Sequence, residues 1–254
     1  MPMDEVTDGR PPLLDRSAAL YLDFDGTLAD IALRPDGVVV REPLPALLAA
    51  MSARLGGAVA VITGRRLADV DALLAPLCLP GAGLHGAELR PDAGHVIRMP
   101  APAALGALAD TLRERFGTDG RLIVEDKGAA VALHFRLAPE REAECVAAMR
   151  ALAAAAGLDV IAGSRVVEAR PRGVDKGGAL RALASAAPFA ARRPVFVGDD
   201  VTDEDGFRAA AALGGHGIKV GAGATAARYR ILEVPEVHAW MRTSMTAMDR
   251  GAQT

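Results

Sequence analysis

Two aspartates have the type and spacing for nucleophilic and proton-transfer chemistry. Asp23 and Asp25 follow a short apolar run, residues 18–22, and one residue separates them. At the end of an extended strand, side chains two positions apart leave on the same face. One carboxylate can then attack phosphorus and ligate a metal while the other handles protons. The alternative is an ordinary acidic turn, since Gly26 and Thr27 are also residues that turns favour.

A second acidic group lies far along the chain. Asp199, Asp200 and Asp203 fall within five positions, so their charges repel one another unless a cation or water screens them. Hard oxygen ligands favour Mg²⁺. A calcium-binding EF-hand is a poor match, because counting back from Gly206 puts Val201 at the first ligand position. The remaining alternative is a solvated helix start, where acidic residues are common.

Two further residues have the chemistry to bind phosphate. Lys176 precedes a glycine pair and a helix-like segment at 179–187, where an ammonium and backbone N–H groups can face an anion. Thr63 ends an apolar run, and its hydroxyl can bind a phosphoryl oxygen. Each has a plain alternative: a solvated lysine, and an N-cap for the helix predicted at 67–74.

The polar groups follow short apolar runs, as expected at the ends of buried parallel strands. These runs and the amphipathic segments after them predict an α/β fold with a doubly wound, mostly parallel sheet. In such sheets ligands collect at the carboxyl ends of the strands, so we expect a single site. The strands are predicted at 18–22, 58–62 and 194–197, and the helices at 44–55, 67–74 and 204–213.

The middle of the chain has a different pattern, in which helices alternate with strand pairs. This order is typical of a compact α+β unit with an antiparallel sheet, which we interpret as an inserted cap. We expect a catalytic core of residues 1–92 and 169–254 and an inserted α+β cap of residues 93–168. The cap segments are helices at 103–116 and 140–156 and strands at 122–125, 130–136, 160–161 and 165–168.

The order of these groups resembles a known superfamily. An Asp-x-Asp-Gly-Thr group, a strand-end threonine, a lysine before a helix and a late Gly-Asp-Asp group match the haloacid dehalogenase-like phosphohydrolases. Within that superfamily the chain resembles the trehalose-6-phosphate phosphatases from about residue 19 to residue 240. The stretches that carry this resemblance are Val61-Ile-Thr-Gly-Arg65, Gly83-Leu-His-Gly-Ala-Glu88, Glu125-Asp-Lys-Gly128, Val131-Ala-Leu-His-Phe-Arg136, Val167-Glu-Ala-Arg-Pro171 and Gly198-Asp-Asp-Val-Thr-Asp-Glu-Asp-Gly-Phe207.

The resemblance implies hydrolysis of trehalose 6-phosphate to trehalose and phosphate, the last step of trehalose biosynthesis. It implies that Asp23 is the nucleophile, that Asp25 is the acid and then the base, and that the reaction passes through an aspartyl-phosphate. Thr63 and Lys176 would bind phosphoryl oxygens; the family usually has serine where this chain has Thr63, and the hydroxyl is kept. The implied Mg²⁺ site consists of Asp23, the backbone carbonyl of Asp25, Asp199, and, in support, Asp200 and Asp203.

The resemblance also implies where the sugar binds. In the insert, Glu125, Lys127 and Glu168 are expected to hold the hydroxyl groups of the disaccharide, which offers little apolar surface. Plain solvation of the hairpins is the alternative.

Three residues of the core are further candidates for binding the substrate: Arg65, His85 and Gly86. Arg65 and its neighbour Arg66 either steer anions or face solvent. For His85 and Gly86, in a glycine-rich loop, a supporting or hinge role competes with substrate contact. We expect His134, which alternates with apolar residues, to serve in packing.

Overall composition excludes several classes of protein. A chain of 254 residues with 51% hydrophobic and 24% charged residues is globular. Its formal net charge of −3 provides no basic surface for nucleic acid or an anionic membrane. No apolar stretch is long enough to span a membrane, and residues 1–10 show no signal peptide. We expect a cytoplasmic protein with two thiols, monomeric or weakly self-associating, whose partner is a small sugar phosphate.

Three other functions compete with this interpretation. Another sugar phosphatase, or a hexose-phosphate mutase, would share the core residues and differ in the cap. A sugar-phosphate sensor without activity is disfavoured, because Asp23, Asp25 and Lys176 are all present. A glycosyltransferase metal site would explain the acidic pair alone, leaving Lys176 and the Gly198-Asp-Asp200 group unexplained.

Overall fold

The computed structural model describes residues 9–40, 43–92 and 94–251. Most of the segment at residues 1–10, residue 93 at the predicted start of the insert and the last three residues of the predicted core lie outside these ranges. The elements are β1 (Ala18–Leu22), α1 (Leu44–Arg54), β2 (Val59–Ile62), α2 (Leu67–Leu74), β3 (Gly81–Gly83), β4 (Glu88–Arg90), β5 (Ile97–Arg98), α3 (Ala104–Phe116), β6 (Ile123–Asp126), β7 (Val131–His134), α4 (Glu142–Ala156), β8 (Asp159–Gly163), β9 (Val166–Arg170), α5 (Lys176–Ala184), β10 (Arg193–Gly198), α6 (Glu204–Ala212), β11 (His216–Val220), β12 (Tyr229–Ile231) and α7 (Val234–Gly251).

The described chain divides into two compact units. The first comprises the described residues within 1–32, 38–96 and 175–254, and the second residues 33–37 and 97–174. These boundaries differ from the predicted 93–168, because β9 belongs to the antiparallel sheet of the second unit and the predicted boundary at residue 169 cuts through it. That the second unit acts as a cap stays a prediction.

The first unit is built on a mostly parallel sheet. Its strands follow the order β12-β11-β10-β1-β2-β3-β4, with parallel pairing from β12 to β3 and an antiparallel β4. Every residue of β1 and β2 is buried, which is why these strands appear in the sequence as continuous apolar runs. The predicted α/β fold with a mostly parallel sheet is confirmed.

The order of the central strands places the polar groups at one edge of the sheet. β1 lies between β10 and β2, and all three run in the same direction. Asp23, Thr63 and Asp199 each follow the last residue of one of these strands. The chain first adds β2 and β3 on one side of β1 and later β10 and β11 on the other side. This change of direction creates the switch point where such sheets bind ligands.

The second unit has its own layer arrangement. Its four strands form an antiparallel sheet in the order β6-β7-β9-β8. α3 and α4 supply apolar residues to one core with the strands, including Leu112, Phe116, Met149, Leu133 and Val167, all at most 1% exposed. Alternation in the strands leaves the other face of this sheet to different side chains.

No helix in the described ranges is both long enough and apolar enough to cross a membrane.

Candidate active site

Three aspartates meet at the carboxyl edge of the parallel sheet. Asp23, Asp199 and Asp203 each bring a carboxylate oxygen to within 4.8 Å of the others. Asp23 is 5% exposed and Asp203 is fully buried. The sequence predicted this meeting from strand ends that lie far apart along the chain.

Lys176 bridges two of the three carboxylates. Its Nζ donates to Oδ1 of Asp23 and to Oδ1 of Asp203, each at 2.7 Å. The lysine is the first residue of α5, whose N-cap, Asp175, accepts a hydrogen bond from the N–H of Gly178 at 2.6 Å. The helix predicted at 179–187 therefore begins and ends three residues earlier, because Asp175 is a good cap and the glycine pair lies inside the first turn.

Burial and crowding of like charge raise the pKa values of these acids. Burial raises the pKa of Asp23 well above its usual range, Asp203 and Asp199 add to the shift, and Lys176 opposes it. Burial, followed by the charge of Asp203, raises the pKa of Asp199 to about 7. Burial alone would lower the pKa of Lys176, but Asp203 and Asp23 outweigh it and raise that pKa. The cluster therefore holds more negative charge than one ammonium can balance.

A divalent cation fits this cluster. Three carboxylates are the hard oxygen donors that Mg²⁺ prefers. Oδ1 of Asp199 is buried and has no hydrogen-bond partner among the described residues, which leaves an acceptor for a metal. A cation here would also relieve the repulsion that raises the pKa values. Asp23, Asp199 and Asp203 are the residues that could hold it.

Asp200 does not join this cluster. Its side chain and that of Asp203 form a reciprocal capping box at the short 3₁₀ turn Val201–Asp203, in which Oδ2 of Asp203 accepts from the N–H of Asp200 at 2.9 Å. The structure thus shows Asp200 shaping the turn that carries Asp203, and its supporting role at the metal stays a prediction.

Asp25 is held by an arginine. Nε and Nη2 of Arg65 donate to its two carboxylate oxygens at 2.6 Å and 2.8 Å. The backbone N–H of Arg65 also donates to Oγ1 of Thr63, at 3.1 Å, and Thr63 is 1% exposed. Arg65 was predicted to bind substrate; here its guanidinium forms a two-point ion pair with the second aspartate.

His85 and Gly86 lie in a strained segment beside Thr63. His85 has φ of 58° and is 7% exposed, and its N–H donates to the carbonyl of Thr63 at 2.9 Å. A Cβ added at Gly64 would lie 2.8 Å from the imidazole ring. This packing holds the Thr63 backbone in place. Phosphate binding by Thr63 and substrate contact by His85 and Gly86 stay predictions.

The second unit has a charged cluster on the face of its sheet away from its helices. Glu125 and Glu168 both lie opposite Ala132 in the strand register, so they share that face. Nζ of Lys127 donates to Oε2 of Glu168 at 2.7 Å, and both side chains are at most 10% exposed. The sequence predicted these three residues together, and the structure places them in one cluster.

His134 belongs to this cluster, which the sequence interpretation missed. Its Nε2 lies 2.8 Å from Oε2 of Glu125, so the histidine predicted to serve in packing has a hydrogen-bond partner within the cluster. Burial would raise the pKa of Glu125, but the hydrogen bond with His134 and the charge of Lys127 outweigh it and lower that pKa. Alternation along β7 was the available signal, because His134 falls on the same face as Ala132.

Comparison with known proteins identifies the family. The family model described as trehalose-phosphatase matches residues 21–234. The chain belongs to the trehalose-phosphatase family. It is 45% identical over 205 residues to a probable trehalose-phosphate phosphatase of Sinorhizobium fredii, covering 80% of this chain and 77% of that protein. It is 39% identical over 245 residues to the trehalose-6-phosphate phosphatase of Escherichia coli, covering 94% and 91%.

A solved structure shows that this trehalose-phosphatase family member shares its fold with a distant relative. The C-terminal domain of a Candida albicans trehalose-6-phosphate phosphatase superposes with a TM-score of 0.81 over 91% of this chain and 93% of that domain. The two are 19% identical, so this likeness concerns the fold. The resemblance drawn from the sequence motifs is confirmed.

Proposed function

We propose that this chain hydrolyses trehalose 6-phosphate to trehalose and phosphate, with Mg²⁺ as cofactor. The observation that carries the proposal is the buried cluster of Asp23, Asp199, Asp203 and Lys176, with Asp25 two residues from the nucleophile, in a trehalose-phosphatase family member. The Escherichia coli relative is by name a trehalose-6-phosphate phosphatase, and the Sinorhizobium fredii relative is by name a probable trehalose-phosphate phosphatase.

Asp23 and Asp25 share the covalent chemistry. A carboxylate oxygen of Asp23 attacks phosphorus, and the bond from phosphorus to the sugar oxygen breaks. Asp25 gives its proton to that oxygen, which leaves as a hydroxyl of trehalose. Asp25 then takes a proton from water, whose oxygen attacks the aspartyl-phosphate. Phosphate leaves, Asp23 is restored as a carboxylate, and Asp25 is protonated again.

The remaining residues of the cluster manage charge. Lys176 and the hydroxyl of Thr63 bind phosphoryl oxygens and offset their charge as Asp23 approaches. Bound Mg²⁺ would supply further charge stabilisation, held by Asp23, Asp199 and Asp203 and by the backbone carbonyl of Asp25. Asp200 supports this arrangement through the turn that it caps.

The charged cluster of the second unit gives the reaction its choice of sugar. Glu125 and Glu168 accept hydrogen bonds from sugar hydroxyls, and Lys127 donates to them. A site of this polarity favours a sugar over an aromatic or aliphatic leaving group. The protein works in the cytoplasm, where this phosphatase step ends trehalose synthesis.

Phosphate release from trehalose 6-phosphate tests the proposal. We expect release that needs Mg²⁺, stops with chelator and exceeds that from glucose 6-phosphate and mannose 6-phosphate. Equal turnover of the three would contradict the proposed substrate. Asp23→Asn should lower turnover by at least about 100-fold without unfolding the protein, because the amide cannot form the acyl phosphate. Retained turnover in that variant would contradict covalent catalysis.

A further inference from the structure

A buried lysine that the proposed mechanism does not use lies beside the acidic cluster. Lys219 is 6% exposed and lies in β11 between Ile218 and Val220, which are 0% and 3% exposed. In the strand register it is paired with Gly198, the last residue of β10. Burying an ammonium group is costly unless it finds a strong partner, so its contacts require an explanation.

Nζ of Lys219 donates to the backbone carbonyl of Asp199. The N–H of Asp200, which follows this carbonyl in the backbone, donates to Oδ2 of Asp203. These two groups belong to one peptide unit, so its carbonyl end and its N–H end are each bound by a buried charged side chain. Both hydrogen bonds are assisted by charge, which makes them stronger than neutral ones.

The clamped peptide is the one that carries Asp199. Rotation of this unit would swing the carboxylate of Asp199 away from Asp23 and Asp203, whose oxygens lie within 4.8 Å of it. The same chain of bonds continues from Asp203 through Lys176 to Asp23, so the clamp also connects to the nucleophile. A side chain that fixes the backbone of a metal-binding residue lowers the conformational entropy that this residue loses when the metal binds.

We propose that Lys219 is a positioning residue for the metal site, which holds Asp199 in the orientation that ligates a divalent cation. The inference rests on the metal site of the proposed function. The sequence contains an independent sign: of its 29 lysine and arginine residues only three are lysines, Lys127, Lys176 and Lys219. The other two lie in the two charged clusters described above, whereas the many remaining cationic positions use arginine. A flexible stem with a compact charge suits a single carbonyl acceptor in a narrow buried space.

Direct metal binding tests this role. Mn²⁺ has the same charge as Mg²⁺ and a similar preference for oxygen, and its binding can be followed by electron paramagnetic resonance without substrate. Lys219→Met keeps the length and volume of the stem but has no donor. We expect its Kd for Mn²⁺ to rise about tenfold, as is typical when a group supporting a metal ligand is removed. Turnover at saturating Mg²⁺ should recover to within about threefold of wild type, because the variant weakens binding and leaves the reacting groups in place.

Ile218→Val is the matched control, because it changes a buried neighbour on the same strand without touching the loop. It should lower the unfolding temperature slightly and leave the Kd for Mn²⁺ unchanged. A Kd in Lys219→Met equal to that of wild type would overturn the inference, as would an equal rise in the control. If Lys219→Met does not fold, Lys219→Gln, with a shorter donor, should still raise the Kd by at least about threefold, and an unchanged Kd would overturn the inference.

The outcomes separate this inference from the proposed function. Wild-type protein that binds Mn²⁺ but releases no phosphate from trehalose 6-phosphate would contradict the substrate alone. Wild-type protein that binds no Mn²⁺ would overturn the metal site and the role of Lys219 with it.

Discussion

The ion pair between Arg65 and Asp25 orients the carboxylate that the proposed mechanism uses as acid and base. Two parallel hydrogen bonds fix both the direction and the rotation of the Asp25 carboxylate. The guanidinium also lies 5.9 Å from the ring centre of Phe24, between the two aspartates in sequence. In the proposed reaction, Asp25 must reach the sugar oxygen, so its orientation determines how well the proton is delivered.

Removing this arginine should harm reactions with a poor leaving group most. We expect Arg65→Gln to lower kcat/KM for trehalose 6-phosphate by about 10- to 100-fold, and that for p-nitrophenyl phosphate much less, because nitrophenolate leaves without a proton. Phosphate release from the two substrates measures the difference. Arg66→Gln, at an exposed neighbouring position, should change neither value. Equal losses on both substrates would show that Arg65 acts on some other step.

A glycine beside the acidic cluster provides a second prediction. A Cβ at Gly26 would lie 2.2 Å from Oδ2 of Asp199, and the residue has φ of 79°. Gly26→Ala should therefore displace Asp199 and weaken Mn²⁺ binding by at least about tenfold. Gly214 has the same φ, and a Cβ there would meet no described atom within 4 Å outside its immediate neighbours.

The comparison with Gly214→Ala isolates the effect of the clash from that of the backbone. That variant should lose about 1 kcal/mol of unfolding free energy from backbone strain and keep its affinity for Mn²⁺. Denaturant unfolding and metal titration of both variants provide the measurement. Similar affinities of the two variants for Mn²⁺ would contradict the expected displacement of Asp199 by the added Cβ at Gly26.

The acidic cluster could be predicted from sequence, whereas the residues that hold it could not. Asp23, Asp199 and Lys176 lie in short motifs of recognisable chemistry. Arg65 lies in such a motif, but nothing in it indicated that Asp25 is its partner, and Lys219 was not singled out at all. Each finds its partner only when separate strands become neighbours. Their contacts join positions 40 and 20 residues apart in the chain. Local patterns do not specify pairings of that kind.

Strands and helices were predictable where burial is uniform and less so where polar residues interrupt it. β1, β2 and α2 were predicted to within one residue, because every residue of the two strands is buried and the helix has regular apolar spacing. β11 was missed. It contains His216, Gly217 and Lys219, which break the apolar run although the strand is central to the site.

The first residue of β11 makes the fold sensitive to acid. Nε2 of His216 is buried and has no hydrogen-bond partner among the described residues, and the ring packs edge-on against Tyr229. Burial, together with the charges of Arg193 and Arg228, lowers the pKa of His216 to about 4. The unfolded chain, with the usual pKa of about 6.5, therefore binds this proton more readily than the folded protein.

Stability should accordingly fall as the pH drops from 6.5 towards 4. The ring is partly exposed, so we expect a loss of about 1–2 kcal/mol from this residue, roughly half of what the full pKa difference would give. His216→Phe keeps the aromatic contact and cannot titrate, so its unfolding free energy should depend less on pH across this window. Denaturant unfolding at several pH values would reveal it. Parallel pH profiles for both proteins would contradict the assignment.

Each of the two units has a hydrophobic core of its own, which allows changes in one to leave the other intact. The charged cluster of the second unit should therefore affect the choice of substrate without altering the acidic cluster of the first. The family match covers residues of both units, and sugar recognition by the second unit stays a prediction.

The variant Lys127→Ala tests whether the charged cluster of the second unit determines the choice of substrate. We expect kcat/KM for trehalose 6-phosphate to fall by at least about 100-fold, because the variant removes a donor and leaves the Glu168 carboxylate without its ammonium partner. Hydrolysis of p-nitrophenyl phosphate should change by less than about threefold, since it needs no sugar contact. Arg121→Ala, on the exposed surface of the same unit, is the control. Equal losses on both substrates would show that the cluster does not recognise the sugar.

The central position of β1 has a consequence for how the chain is made. Its partner β10 follows more than 170 residues later, and the pair Leu20–Val195 lies in the middle of the sheet. During synthesis β1 leaves the ribosome long before β10. Until β10 emerges, the backbone N–H and C=O groups on that side of β1 have no strand to pair with. Asp23, the proposed nucleophile, is therefore synthesised early but can meet Asp199 and Asp203 only when the last quarter of the chain emerges.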